Sequence, residues 1–182
     1  MKLAIHQPNF MPWYPFFQKI QQSDIFVILQ NCQFEKNNFQ NRFNIDNQWY
    51  TMRVPKTMEN IIDKTYINSV YDWNKIKKGF PKLKNKLDVF DDCISESLAN
   101  TNSKIIMKAC EIFNINTKIV FDYPTDLKST ERLIDICKNY GATEYISGTG
   151  GKKYLDTSLF EESNIKISFQ KNMIKKPLVE ML

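Results

Sequence analysis

Two apolar runs near the amino terminus, Leu3-Ala4-Ile5 and Ile25-Phe26-Val27-Ile28-Leu29, flank a stretch with helical spacing. Runs with no polar face need cover on both sides, which a parallel or mixed sheet with helices on its two faces provides. Strand, helix and strand in this order form a βαβ unit, whose crossover is almost always right-handed. The connection is stiff. Pro8 and Pro12 each hold the preceding residue extended, while Pro15 fits the first turn of a helix. The sequence predicts a strand at 3–5, a helix from 13 or 15 to 22 with Phe16, Phe17 and Ile20 on its buried face, and a strand at 24–29.

Further along, 40–46 and 49–54 read as two extended arms meeting at Asp46-Asn47, a hairpin at a sheet edge. From Trp73 to Phe113 the pattern turns helical. Leu87, Phe90, Ile94 and Leu98 recur at helical spacing, as do Ile105, Ile106, Ala109, Cys110 and Phe113, with Asn100-Thr101-Asn102-Ser103 expected to separate the two helices. Strand signals at 117–121, 144–147 and 165–169 alternate with an amphipathic helix ending at Gly141 and a short helix near 158–163. The expected architecture is α/β: a mostly parallel, Rossmann-like sheet flanked by helices, with a helical middle segment at about 73–113 and an edge hairpin, all in one domain of residues 1–182.

A net charge of +5, concentrated at residues 75–86 and 171–176, fits a solvated basic face better than a nucleic-acid footprint. The four cysteines form no CxxC pair, and a single histidine leaves no multi-histidine zinc site or conventional triad, so no metal is expected. The amino terminus turns polar at His6, too soon for a signal peptide, and no run is long enough to span a bilayer. A cytoplasmic protein is the expectation.

In such sheets ligands collect beyond the carboxyl ends of the strands. His6, Gln7, Asn9 and Trp13 occupy the turn after the first strand, and Gln33, Lys36, Gln40, Asn41 and Arg42 follow the second. Amides recognise hydroxyl-rich ligands because each both donates and accepts, and an arginine clamps a carboxylate or phosphate. Ser147, Gly148, Thr149, Gly150 and Gly151, followed by Lys152, form a glycine loop able to meet an anion, although without a Walker or dinucleotide fingerprint. The three segments are expected to meet in one site. A strand-to-helix turn explains the glycines equally well, and solvated loops and core aromatics are the plainer readings of the other two segments.

The runs His6-Gln7-Pro8-Asn9-Phe10, Pro12-Trp13, Phe17-Gln18-Lys19-Ile20, Ser23-Asp24-Ile25-Phe26-Val27, Gln33-Phe34-Glu35-Lys36 and Gln40-Asn41-Arg42 together resemble the WbqC-like protein family. So does Tyr145-Ile146-Ser147-Gly148-Thr149-Gly150-Gly151-Lys152-Lys153-Tyr154-Leu155-Asp156, with Phe160 and Phe169-Gln170 after it, whereas residues 56–117 carry little of the likeness. Two departures stand out. Gln30-Asn31 replaces the family's usual acidic residue, and the chain ends where relatives continue, as in a short or truncated member.

The resemblance implies a place in O-antigen or other surface-polysaccharide biosynthesis, as a transferase attaching an amino acid, glycine first, to a sugar or amino sugar. A looser likeness to nucleotidylyl-transferring enzymes such as pantothenate synthetase, without their paired histidines, makes ATP a candidate cofactor. In that version Lys152 and the Gly148–Gly151 amides hold phosphates and His6 stabilises developing charge. Arg42, with Gln40 and Asn41, fixes the sugar or carboxylate. The small-molecule partner is then a sugar nucleotide, and the rival reading is a non-catalytic sugar-nucleotide or glycan-binding module.

Overall fold

A computed structural model describes residues 1–82, 84–171 and 176–182 of the chain; of the second basic stretch, residues 172–175 lie outside them. Five parallel strands form one sheet in the order β5-β2-β1-β6-β7: β1 (Lys2–His6), β2 (Ile25–Ile28), β5 (Lys118–Phe121), β6 (Glu144–Ser147) and β7 (Lys166–Phe169). The chain runs outward from β1 to β2 and β5, then returns to β1's other side for β6 and β7. That reversal leaves a topological switch point between β1 and β6.

Alternation along the strands divides the core. Ala4, Phe26, Ile28 and Ile146 face α1 (Tyr14–Gln21), while Leu3, Ile5, Ile25, Val27 and Tyr145 face the opposite layer. The long connection from β2 to β5 carries a hairpin and three helices: β3 (Arg42–Ile45), β4 (Gln48–Thr51), α2 (Ser69–Lys78), α3 (Lys84–Leu87) and α4 (Leu98–Ile112). The opposite layer is built from α5 (Ser129–Asn139) and α6 (Thr157–Glu162), and α7 (Leu178–Met181) closes the chain with Leu178 and Val179 buried.

Pro15 begins α1 as expected, and Gly141, at φ +66, takes the left-handed position just beyond α5. Asp46 and Asn47 both have positive φ, the geometry of a two-residue hairpin turn. The hairpin forms its own two-stranded sheet. Phe43 stacks on Tyr50 with ring centroids 5.3 Å apart, and Tyr50 meets Phe80 at 4.5 Å, so the hairpin covers an aromatic cluster and does not extend the main sheet.

The middle segment differs from the periodic reading at two places. The expected helix through Leu87, Phe90, Ile94 and Leu98 breaks after α3 into a 3-10 turn at Asp88–Cys93. Lys77 Nζ donates to Asp88 and Asp91 at 2.7 Å, and Trp73 Nε1 donates to Asp91 at 2.7 Å, bonds that tie this tight turn to α2. Asn100-Thr101-Asn102-Ser103, expected as a break, lies inside α4. Ser97 caps that helix by accepting the Asn100 N–H, and Thr101 and Asn102 hydrogen-bond to groups outside the helix, so they do not compete for its backbone.

Candidate functional site

A cleft of about 1010 Å³ opens beyond the carboxyl end of β2. Gln7 from the β1 turn, Cys32 to Asn37, Asn41 and Arg42 from the amide loop, and the segment from Arg53 to Met58 line it, with Ile67 at one lip. Four cations, Lys36, Arg42, Arg53 and Lys56, face one carboxylate, Glu35. Arg53 spends its charge on the buried Asp72, with Nε to Oδ1 at 2.8 Å. Lys36, Arg42 and Lys56 form no ion pair among the described residues, so the cleft attracts anions.

Arg42 is held flat. Its guanidinium carbon lies 4.0 Å from the centre of the Trp49 ring, Trp49 meets Phe39 at 5.6 Å, and Nη2 donates to the Asn37 carbonyl. Nη1 has no partner among the described residues and remains for a ligand. The facing wall is pinned from beneath by Lys64, which is fully buried and donates to the Thr57 carbonyl at 2.7 Å and the Thr57 hydroxyl at 2.9 Å.

The residues expected to bind from the amide loop, with Gln7, fall into two groups. Gln33, Lys36, Asn41 and Gln7 line the cleft, whereas Gln40 is fully buried with its amide in use: Nε2 donates to Gln7 Oε1 at 2.6 Å and Oε1 accepts from Glu35 N at 2.9 Å. Asn41 Nδ2 donates to the Met52 carbonyl at 2.8 Å. Asn9 is buried, and Trp13 is exposed at the start of α1 outside the cleft lining.

His6 is half-buried beside the cleft, edge-on to Phe16 with ring centroids 4.9 Å apart, and its Nδ1 is 2.9 Å from the Gln7 carbonyl. Burial first, and next the nearby Lys19 charge, lower the imidazole pKa from 6.5 to about 3 against the opposing bond to Gln7. The ring is therefore neutral near pH 7. With Nδ1–H given to a carbonyl, Nε2 is an acceptor, a poor arrangement for stabilising an oxyanion. Lys19 itself is buried, donates to the Ile5 carbonyl at 3.1 Å and is lowered by burial to about 7.

This burial has a measurable consequence. Between pH 6.5 and 3 the unfolded chain binds a proton at His6 that the folded chain does not, so stability must fall as pH drops through that window. Thermal unfolding at pH 7 and pH 4.5 should show a smaller acid loss for His6→Asn than for the parent.

The glycine loop leaves β6 at the switch point. Register pairs Ala4 with Ile146, and continuing it places Gly148 level with His6 on the neighbouring strand. Thr149–Lys153 forms a 3-10 turn in which Gly151 N–H donates to the Gly148 carbonyl. A Cβ on Gly151 would meet Ser147 Oγ at 2.1 Å, so close packing explains this glycine, while Gly150 faces open space. Lys152 places its amine 5.1 Å from the centre of the Phe169 ring. Burial, and next the Glu35 carboxylate, raise the Tyr154 phenol, which puts the loop's far end within electrostatic reach of the cleft rim. Thus the His6 turn and amide loop share the cleft through Gln7, and no residue of the glycine loop lines it.

Arg53, Lys56, Thr57 and Lys64 escaped the sequence reading. They carry no motif; Arg53, Lys56 and Thr57 reach the cleft, and Lys64 its underside, only because the hairpin folds the segment after β4 back over the amide loop. Among the described residues there is no cluster of histidine, cysteine or carboxylate able to hold a metal, and no helix is long and apolar enough to cross a membrane.

Comparison with known proteins agrees with the motif reading. The chain is 27% identical over 188 residues to the uncharacterized protein Rv1507c of Mycobacterium tuberculosis (strain ATCC 25618 / H37Rv), covering 92% of this chain and 81% of that protein. No solved structure matches it. The model of the WbqC-like protein family matches residues 7–177, from the turn after β1 to the start of α7, and the chain belongs to that family.

Proposed function

We propose that the cleft holds the phosphate-bearing part of a sugar nucleotide, and that the protein attaches an amino acid, glycine first among candidates, to that sugar in surface-polysaccharide (O-antigen) biosynthesis. Family membership supports a role in polysaccharide-related biosynthesis. The observation that carries the binding half is Arg42, stacked on Trp49 with Nη1 free, in a cleft where Lys36 and Lys56 add unpaired positive charge. A volume near 1010 Å³ is at the upper end for small-molecule sites and suits a ligand of nucleotide-diphosphate size. Aminoacyl transfer to an amine draws much of its rate from positioning, which a rigid cation and amide wall supplies.

A second reading is a binding module without catalysis. The groups nearest the cleft favour it: His6 is held neutral, and burial pushes the Cys32 thiol up to about 11, so neither exchanges protons readily near pH 7.

Calorimetric titration with a uridine-diphosphate amino sugar should show binding, and Arg42→Ala should weaken it by about tenfold to a hundredfold, the worth of a hydrogen bond to a charged group. Equal affinity of parent and variant, or no binding, would remove this reading. Incubation with labelled glycine, ATP and the sugar nucleotide, followed by mass spectrometry, separates enzyme from binder. A glycyl mass gain supports the transferase, and tight binding with no gain leaves the module.

A further inference from the structure

Met58 and Ile67, at the lip of the cleft, are 85% and 59% exposed, and Val70 and Tyr71, on the first turn of α2, are 63% and 57% exposed. They form one strip. Ile67 N–H donates to the Arg53 carbonyl at 2.9 Å, and the Arg53 guanidinium lies 5.3 Å from the centre of the Tyr71 ring, so the cleft edge and the start of α2 are joined through Arg53. A soluble surface rarely leaves four neighbouring large apolar side chains uncovered without a use.

Charge identifies the occupant. On the exposed face of α2, Lys75 and Lys78 follow Tyr71 at one and two helical turns, and Lys56 stands beside Met58. These three lysines form no ion pair among the described residues. The nearby acids are mostly spent: Asp72 is buried on Arg53, Glu59 faces Lys64 at 3.6 Å, and Asp88 and Asp91 hold Lys77, leaving the exposed Asp63 and, in the cleft, Glu35. Aliphatic and tyrosine side chains beside unpaired lysines fit the boundary of an anionic bilayer, where apolar groups enter the acyl edge and lysines meet lipid phosphates.

We infer that the strip Met58–Ile67–Val70–Tyr71, with Lys56, Lys75 and Lys78, docks the protein reversibly on an anionic membrane surface with the mouth of the cleft at the bilayer. A lipid-linked glycan would then reach the cleft without leaving the membrane. Docking itself does not depend on the sugar-nucleotide reading.

The test is cosedimentation of the full chain with vesicles of phosphatidylcholine alone and of equal parts phosphatidylcholine and phosphatidylglycerol, with no sugar substrate added. The protein should pellet with the anionic vesicles, be released by salt, and lose about tenfold in affinity in Val70→Gln/Tyr71→Ser and in Lys75→Glu/Lys78→Glu. Both pairs are exposed, and unchanged circular dichroism and thermal unfolding would confirm that the variants fold. Failure to pellet, equal binding to both vesicle types, or parental binding by the variants overturns the inference. So does light scattering that shows a dimer dissociated by Val70→Gln, because a second copy would then cover the strip. Sugar-nucleotide titration of Lys75→Glu/Lys78→Glu, whose residues do not line the cleft, should match the parent, so failure of docking and failure of the cleft reading are distinguishable.

Discussion

Asp122→Ala is expected to cost about 3–5 kcal/mol, the usual penalty for removing one partner of a buried ion pair. The Asp122 side chain is fully buried just past β5 and pairs with Arg132 of α5. Its carboxylate also accepts Gln30 N–H at 2.8 Å and Asn31 Nδ2–H at 3.0 Å, while Arg132 Nη1 donates to the Asn31 carbonyl at 2.7 Å. One carboxylate therefore ties the exit of β2 to β5 and α5, and removing it takes the partner from a buried guanidinium and from the amide donors of Gln30 and Asn31. At an ordinary urea dependence the midpoint should fall by about 1–3 M. The double variant Asp122→Ala/Arg132→Met should recover part of the loss, since it leaves no unpaired buried charge. A single-variant cost under about 1 kcal/mol would mean that water already satisfies these groups.

This joint was not legible in the sequence. The carboxylate at the Gln30-Asn31 turn comes from Asp122, ninety-one positions away from Asn31 along the chain. No local pattern could announce it. By contrast β1, α1 and β2 were legible, because apolar runs and three prolines act locally: Leu3, Ala4, Phe26 and Val27 are fully buried, and Pro15 starts the helix. The turn at Asp46-Asn47 was equally plain, since these residues tolerate positive φ.

The site was legible in outline only. Gln7, Gln33, Lys36, Asn41 and Arg42 do line one cleft, yet Trp49, which orients Arg42, and the wall from Arg53 to Met58 arrive by hairpin folding that depends on aromatic packing far from the motif. Residue type also hid state. His6 reads as a proton carrier because free imidazole titrates near neutrality, and only its packing on Phe16 reveals a ring that stays neutral. Gln40 reads as a ligand amide, and only its two internal partners show that it supports the loop.

The deepest support under that loop is Asn102, and Asn102→Ala should cost about 3–5 kcal/mol, a large part of a typical domain's stability. Asn102 is fully buried in α4; its Nδ2 donates to the Pro8 carbonyl at 2.8 Å and the Gln40 carbonyl at 2.6 Å, and its Oδ1 accepts from the Tyr66 hydroxyl at 3.0 Å. One amide thus clamps the turn after β1 to the loop that carries Arg42, the two segments that meet at Gln7 and Gln40. Alanine would leave two carbonyls and a hydroxyl unpaired in the interior, each costing about 1–3 kcal/mol, with a small cavity besides. Tyr66→Phe leaves both carbonyls paired and only Asn102 Oδ1 without its donor, so it should cost less, about 1–3 kcal/mol. Urea unfolding of the two variants measures the difference. If Asn102 acts as this clamp, its loss should also weaken sugar-nucleotide binding under conditions where the variant is still folded, because Arg42 is then no longer held in register with Gln7. Full affinity in a folded Asn102→Ala protein would show that the stacking of Arg42 on Trp49 alone fixes the guanidinium, and that the clamp serves the core and not the cleft.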